Sequence, residues 1–145
     1  KRPVNYMVSA LRQLGADTDG GPALHSFLRR MGQPLFEWPT PDGYPDRDTA
    51  WQGSLLPRWQ FALDLSQNKI KGTYLDLDGL QDGVGDPPPG SYLDLISNQL
   101  LGRSLDPALE MELLSTIDQL GQEHSLQASQ VAVAGILASP AFQWR

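Results

Sequence analysis

The chain has 145 residues, long enough to bury a real core as one domain. Its 17 Asp and Glu outnumber 11 Lys and Arg, for a net charge of −6, and it has two His and no Cys. That balance argues against a nucleic-acid-binding domain, which needs a basic footprint. It also excludes disulfides, thiolate metal sites and a Cys nucleophile, and makes a zinc site a poor expectation.

The chain starts Lys1-Arg2-Pro3, with no basic, apolar, small-residue leader. No run reaches the ~18 apolar residues a spanning helix needs. The expectation is therefore a soluble piece of something longer, with residues 1–145 forming one helical domain. Pro and Gly number 12 and 14, above their average usage of about 5% and 7%.

In chain order, Val4, Met7, Val8, Leu11 and Leu14 recur at helical spacing, with Pro3 suited to a first turn and Gly15 to the stop. Residues 17–21 read as a loop. Pro22 opens a second helix with Leu24, Phe27, Leu28 and Met31 on one face. Gly32 ends it, and Arg29 and Arg30 lie in its last turn, where cations suit the helix dipole.

Residues 33–48, QPLFEWPTPDGYPDRD, contain Pro34, Pro39, Pro41 and Pro45, which exclude a regular helix or central strand. Asp42-Gly43 is a turn signal. Phe36, Trp38 and Tyr44 argue for an ordered extended loop, since such rings are seldom left in a disordered segment. Helical character resumes near Thr49, with Asp48 or Thr49 as N-cap and a stripe of Trp51, Leu55, Trp59, Ala62 and Leu63. Pro57 should kink or restart this helix, which should end near Gln67-Asn68.

Residues 69–90 are rich in Gly, Asp and Pro, and Pro87 to Pro89 favour a short polyproline segment. Ser91 should cap a helix bearing Leu93, Ile96, Leu100 and Leu101, stopped by Gly102. Asp106-Pro107 should start one bearing Leu109, Leu113, Ile117 and Leu120, closed by Gly121. Ser125 should cap a last helix that Pro140 stops. Its small residues Ala128, Ala132, Gly135 and Ser139 would let other helices approach closely, making it central. The fold class is all-α: an irregular bundle of about six helices with a long Pro/aromatic loop and an acidic Gly/Pro-rich loop.

Three constellations bear on function. Asp76, Asp78, Asp82 and Asp86 with Gly79 partly match a calcium loop. Its first and last positions would fall on Tyr74 and Gly85, which supply no carboxylate, so a solvated acidic loop is the better reading. The second is aromatic: Phe36, Trp38, Tyr44, Trp51, Trp59 and Phe61 place half of the chain's aromatic rings within residues 36–61. They pin the Pro-rich loop onto the helices or offer a sugar platform or peptide groove, and the pinned loop is preferred. Arg58 and Arg47 could pair with Asp46, Asp48 or Glu37 there. Trp38, Tyr44, Trp51 and Arg58 are the candidate binding residues. The third constellation is the titratable set. His25 and His124 show no nucleophile–base–orienter pattern, and Glu110 and Glu112 point to different sides of a helix. No catalytic residue, metal or cofactor is expected.

The strings PVNYMVSALRQLGA and LHSFLRRMGQPLFEWPTPDGYPDRDTAWQGSLLPRWQFALDL, with the ending LASPAFQWR, carry a family resemblance. The chain resembles the C-terminal portion of the bacterial domain of unknown function 1800 family from its first residue to its last. The segment of residues 69–89 departs most from that pattern. The resemblance implies a mostly helical, often exported bacterial protein, hence a periplasmic or exported location. It also implies an N-terminal portion of the same protein and a sulfatase-like companion as partners. It implies no reaction. The leading expectation is a structural and interaction domain without its own catalysis. The alternative is a carbohydrate or cell-envelope substrate module, or one wall of an active site completed by the N-terminal portion.

Overall fold

The computed structural model describes all residues except 82–88, 124–126 and 145, and the side chains of the rest except 48, 81, 89 and 121–123. Seven α-helices stand among the described residues: α1 (Pro3–Gln13), α2 (Pro22–Arg30), α3 (Leu55–Ser66), α4 (Pro89–Leu101), α5 (Pro107–Glu123), α6 (Ala128–Ala138) and α7 (Pro140–Gln143). A 3₁₀ segment, Asp48–Ser54, leads into α3. The chain is mostly helical, as its periodicity indicates.

The boundaries follow local chemistry. Pro occupies the first turn of α1, α2 and α7, where its missing N–H is harmless. Gly32 takes φ +86° after α2, and the next N–H, from Gln33, reaches back to the Leu28 carbonyl at 2.9 Å. This left-handed turn satisfies a carbonyl that the helix end would orphan. At α5 the Asp106 carboxylate accepts the Ala108 N–H at 3.0 Å, the cap its position predicts.

Several boundaries differ from expectation. Helix α3 restarts at Leu55, so Pro57 sits in its first turn and kinks nothing. Helix α4 begins at Pro89, two residues before Ser91, because a proline at N1 starts a helix as readily as it extends a polyproline run. Helix α5 continues past Gly121 to Glu123. Gln127 is the N-cap of α6, its backbone N–H donating to the Gln130 side-chain oxygen at 3.2 Å. The expected cap Ser125 lies outside the described residues, as do Pro87 and Pro88. Pro140 both ends α6 and begins α7.

Two short strands, β1 (Asp17–Thr18) and β2 (Thr73–Tyr74), pair antiparallel with Asp17 opposite Tyr74 and Thr18 opposite Thr73. The two threonine hydroxyls are 2.8 Å apart and share a hydrogen bond. This clip ties the loop after α1 to the start of the acidic segment. That segment is also anchored by Ile70, Leu75 and Leu77, which are buried.

Helix α6 packs against α3, α4, α5 and α7. Its small residues permit this: a Cβ on Gly135 would lie 2.4 Å from the Leu113 Cδ2 on α5. An aromatic group joins the other end of the core, where Tyr6 meets Phe61 and Phe142 edge-on at 5.9 and 5.6 Å and Phe27 meets Phe61 at 5.4 Å.

Helix α3 is turned from the expected face. Arg58, Phe61, Ala62, Leu65 and Ser66 are buried, whereas Leu55, Trp59 and Leu63 of the expected stripe are exposed. Both faces are apolar, so spacing alone selects neither, and the contacts of Phe61 with Tyr6 and Phe27 decide the rotation.

Candidate functional site

The Pro/aromatic loop is held by its own polar contacts. The Tyr44 hydroxyl donates to the Pro34 carbonyl across the loop. The Trp38 indole donates to the Asp42 carboxylate at 3.3 Å, and the Thr40 hydroxyl donates to the same oxygen. The Thr40 bond, then the Trp38 bond, holds the Asp42 carboxyl below the usual carboxylate range. The Trp51 indole donates to the Pro45 carbonyl at 3.2 Å. Prolines supply the acceptors here because their carbonyls have no helical or sheet partner to serve.

Ion pairs close the loop ends. Arg29 of α2 pairs with Glu37, and Arg2 pairs with Asp46. These differ from the pairs expected from chain proximity. The Arg58 guanidinium meets no carboxylate among the described residues.

The four candidate binding residues form a connected row. The Trp38 and Tyr44 rings lie 4.6 Å apart at 48°, and the Tyr44 and Trp51 rings 6.1 Å apart at 49°. The Trp51 carbonyl accepts the Ser54 hydroxyl at 2.7 Å, and Arg58 Nε donates to that hydroxyl oxygen at 2.9 Å. Along this row exposure falls from 38% at Trp38 to 8% at Trp51 and 3% at Arg58. The rings are mutually tilted and share no plane.

Phe36 stands out from the loop. Its side chain is fully exposed, and its backbone has φ +61°, a left-handed conformation that costs a non-glycine residue about 1–2 kcal/mol. On α3 a second exposed apolar surface is formed by Leu55, Leu56, Trp59 and Leu63. Beside it an apolar groove of about 250 Å³ runs between Trp59 and Leu63 of α3, Leu113 of α5 and Ala134 and Gly135 of α6.

A separate cleft of about 330 Å³ opens at the other end of the row, lined by Lys1, Trp51, Gln52, Leu55, Arg58, Gln143 and Trp144. Lys1 and Trp144 carry no periodic signal, so spacing could not assign them to it. Burial lowers the Arg58 pKa from its ordinary value, because desolvation disfavours the charged form.

The remaining sequence candidates lie apart from this region. Asp76 accepts the Gly79 N–H at 2.9 Å, closing a local turn, and Asp82 and Asp86 lie outside the described residues. No group of three metal-capable side chains stands together among the described residues. His25 is exposed on α2, and His124 lies outside the described residues. No helix is long and apolar enough to cross a membrane among the described residues.

The model of the family described as "Protein of unknown function (DUF1800)" matches residues 1–144. The chain belongs to that family. No curated protein and no solved structure matches it.

Proposed function

We propose that this member of the family is a non-catalytic interaction domain of an exported bacterial protein, whose contact surface runs from the Pro/aromatic loop onto the outward face of α3. The observation that carries this reading is the exposure of Leu55, Leu56, Trp59 and Leu63 along one helix. A contiguous apolar face of this kind marks an interaction site more often than a free surface. Phe36 is also exposed, on a strained backbone, and strain of that kind collects at ligand clamps and contacts.

The partner we assign is the N-terminal portion of the same family protein, with a sulfatase-like companion as a further partner of the assembled protein. Both, and the exported location, come from the family resemblance. The tilts of 48° and 49° between neighbouring rings favour a protein contact over a flat sugar platform.

The test is binding between this chain and the N-terminal portion expressed separately. Leu56→Asp and Phe36→Gly should each weaken the complex at least tenfold while keeping the circular dichroism of the wild type. Unchanged affinity in both variants would refute the surface assignment. Retained glycan binding that depends on Trp38 would favour the carbohydrate alternative.

A further inference from the structure

We propose that the Arg58 cleft is a binding site for a small organic carboxylate with a flat apolar body. The site meets the apolar contact surface at Leu55 but does not rest on the contact reading.

The Arg58 charge is unmatched by any carboxylate among the described residues. Arg58 is 3% exposed, and burying a cation is costly unless an anion and hydrogen bonds compensate. This chain has 17 acidic residues, yet none faces the guanidinium among the described residues. Of the three carboxylates expected to pair near it, Asp46 is engaged with Arg2 and Glu37 with Arg29, and the Asp48 side chain lies outside what the structure describes.

Two neutral oxygens hold Arg58 instead. Nε donates to Ser54 Oγ at 2.9 Å, and Nη2 donates to the Lys1 carbonyl at 2.7 Å. The Tyr6 ring lies beneath it, 5.2 Å from Cζ. A guanidinium carries five N–H groups in a rigid fork. Two are used here, which leaves both protons of Nη1 and one of Nη2. No buried side-chain nitrogen lacks a partner among the described residues, so Nη1 is not sealed in protein. Arg58 lines the cleft, the open space that Nη1 can serve.

The walls define the rest of the ligand. Indoles of Trp51 and Trp144 and the side chain of Leu55 supply apolar surface, with Trp144 at the mouth, 66% exposed. Lys1 is a second cationic residue among those lining the cleft, and no acidic residue lines it among the described residues. The remaining N–H pair on Nη1 and Nη2 matches the two oxygens of a carboxylate. The fork is fixed before any ligand arrives, which lowers the ordering cost of binding.

The experiment uses ¹⁵N-labelled protein and follows the indole N–H signals of Trp51 and Trp144. Benzoate is the probe, with benzamide as its neutral counterpart and acetate as the carboxylate without a ring. Benzoate should shift both indole signals saturably, at least tenfold more tightly than benzamide or acetate. Arg58→Met should abolish that preference over benzamide. Should Arg58→Met fail to fold, Trp144→Ala, at an exposed position, must weaken benzoate at least threefold. Equal affinity for benzoate and benzamide would overturn the anion assignment, and equal affinity for acetate would overturn the apolar body. An absence of saturable shifts, or a Trp144→Ala variant that binds as the wild type does, would overturn the site.

Discussion

Tyr6→Phe removes one oxygen from the centre of the molecule and tests how α1, α3 and α6 are joined. Tyr6 is fully buried, and its hydroxyl donates to the Arg58 carbonyl at 3.2 Å and the Leu137 carbonyl at 3.3 Å. The Arg58 carbonyl lies within α3, where the next helical turn also supplies it with a donor. Leu137 is in the last turn of α6, where carbonyls lose their helical partners. The substitution keeps the ring contacts with Phe61 and Phe142 and strands the Leu137 carbonyl. Leaving one buried acceptor without a donor costs about 1–3 kcal/mol. At roughly 3–4 °C per kcal/mol for a domain of this size, the melting temperature should fall by about 3–12 °C.

The same hydroxyl gives a pH signature. Burial pushes its pKa well above the ordinary tyrosine value, with a smaller opposing effect from the nearby Arg58 charge. The folded state therefore keeps the proton at a pH where the unfolded chain releases it. A raised folded pKa contributes stability below the unfolded value of about 10, and that stability is lost as pH rises above it. The slope is about −1.4 kcal/mol per pH unit once the unfolded tyrosine has ionised. Urea unfolding of wild type and Tyr6→Phe at about pH 8 and pH 11 measures both effects. The wild type should lose about 1 kcal/mol more than the variant over that interval, narrowing the gap between them. A variant with wild-type stability at the lower pH and the same alkaline loss would refute the reasoning.

Further outcomes can be read by urea unfolding. Gly72 has φ +77°, and a Cβ there would lie 2.3 Å from the Asp19 carboxylate, so Gly72→Ala should cost about 2–4 kcal/mol. Adding Asp19→Ala should recover the part due to the clash and leave the part due to backbone conformation. Asn68, at φ +54°, donates from Nδ2 to the Leu75 carbonyl at 2.9 Å and accepts the Leu75 N–H at 2.7 Å. Asn68→Asp retains only the acceptor and should cost about 1–2 kcal/mol, whereas Asn68→Gly keeps the conformation but loses both bonds and should cost about 2–3 kcal/mol. Phe36→Gly should leave stability unchanged or raise it by up to about 1 kcal/mol, since it releases a strained backbone and no buried contact. A loss above about 1 kcal/mol would show that the Phe36 ring packs in solution.

The helical class was legible because its punctuation is local. Pro3, Pro22 and Pro107 each open a helix, and Gly15, Gly32 and Gly102 each follow one with positive φ. The β1–β2 clip was not legible, since two residues are too few to show alternation and their partners lie more than fifty positions away. Leu75 and Leu77 were obscured by the acidic residues between and around them, although their period-two spacing already carried the signal of burial on one side. The aromatic row was visible in outline because Trp38, Tyr44 and Trp51 are close in sequence. The exposed Phe36 was visible only as another ring, because its outward direction depends on a backbone angle that the residue type disfavours.

Helix α3 shows why fold and site were unequally legible. Its apolar residues surround the axis, so the choice of inward face falls to tertiary contacts rather than periodicity. Turning Phe61 and Leu65 inward also carries Arg58 inward, away from the carboxylates near it in sequence and toward Tyr6 and Lys1. The same rotation leaves Leu55, Leu56, Trp59 and Leu63 outside. One packing decision therefore leaves a buried cation that meets no carboxylate among the described residues and an exposed apolar face. On the proposed readings, each would be relieved by a different class of partner, an anion for the first and an apolar protein surface for the second. Binding of an anion at the cleft should leave the affinity of the α3 face unchanged within about twofold, because Leu55 is the one residue common to both. A larger coupling, measured by titrating the N-terminal portion with and without saturating benzoate, would show that Leu55, which borders the cleft and the exposed face alike, transmits between them.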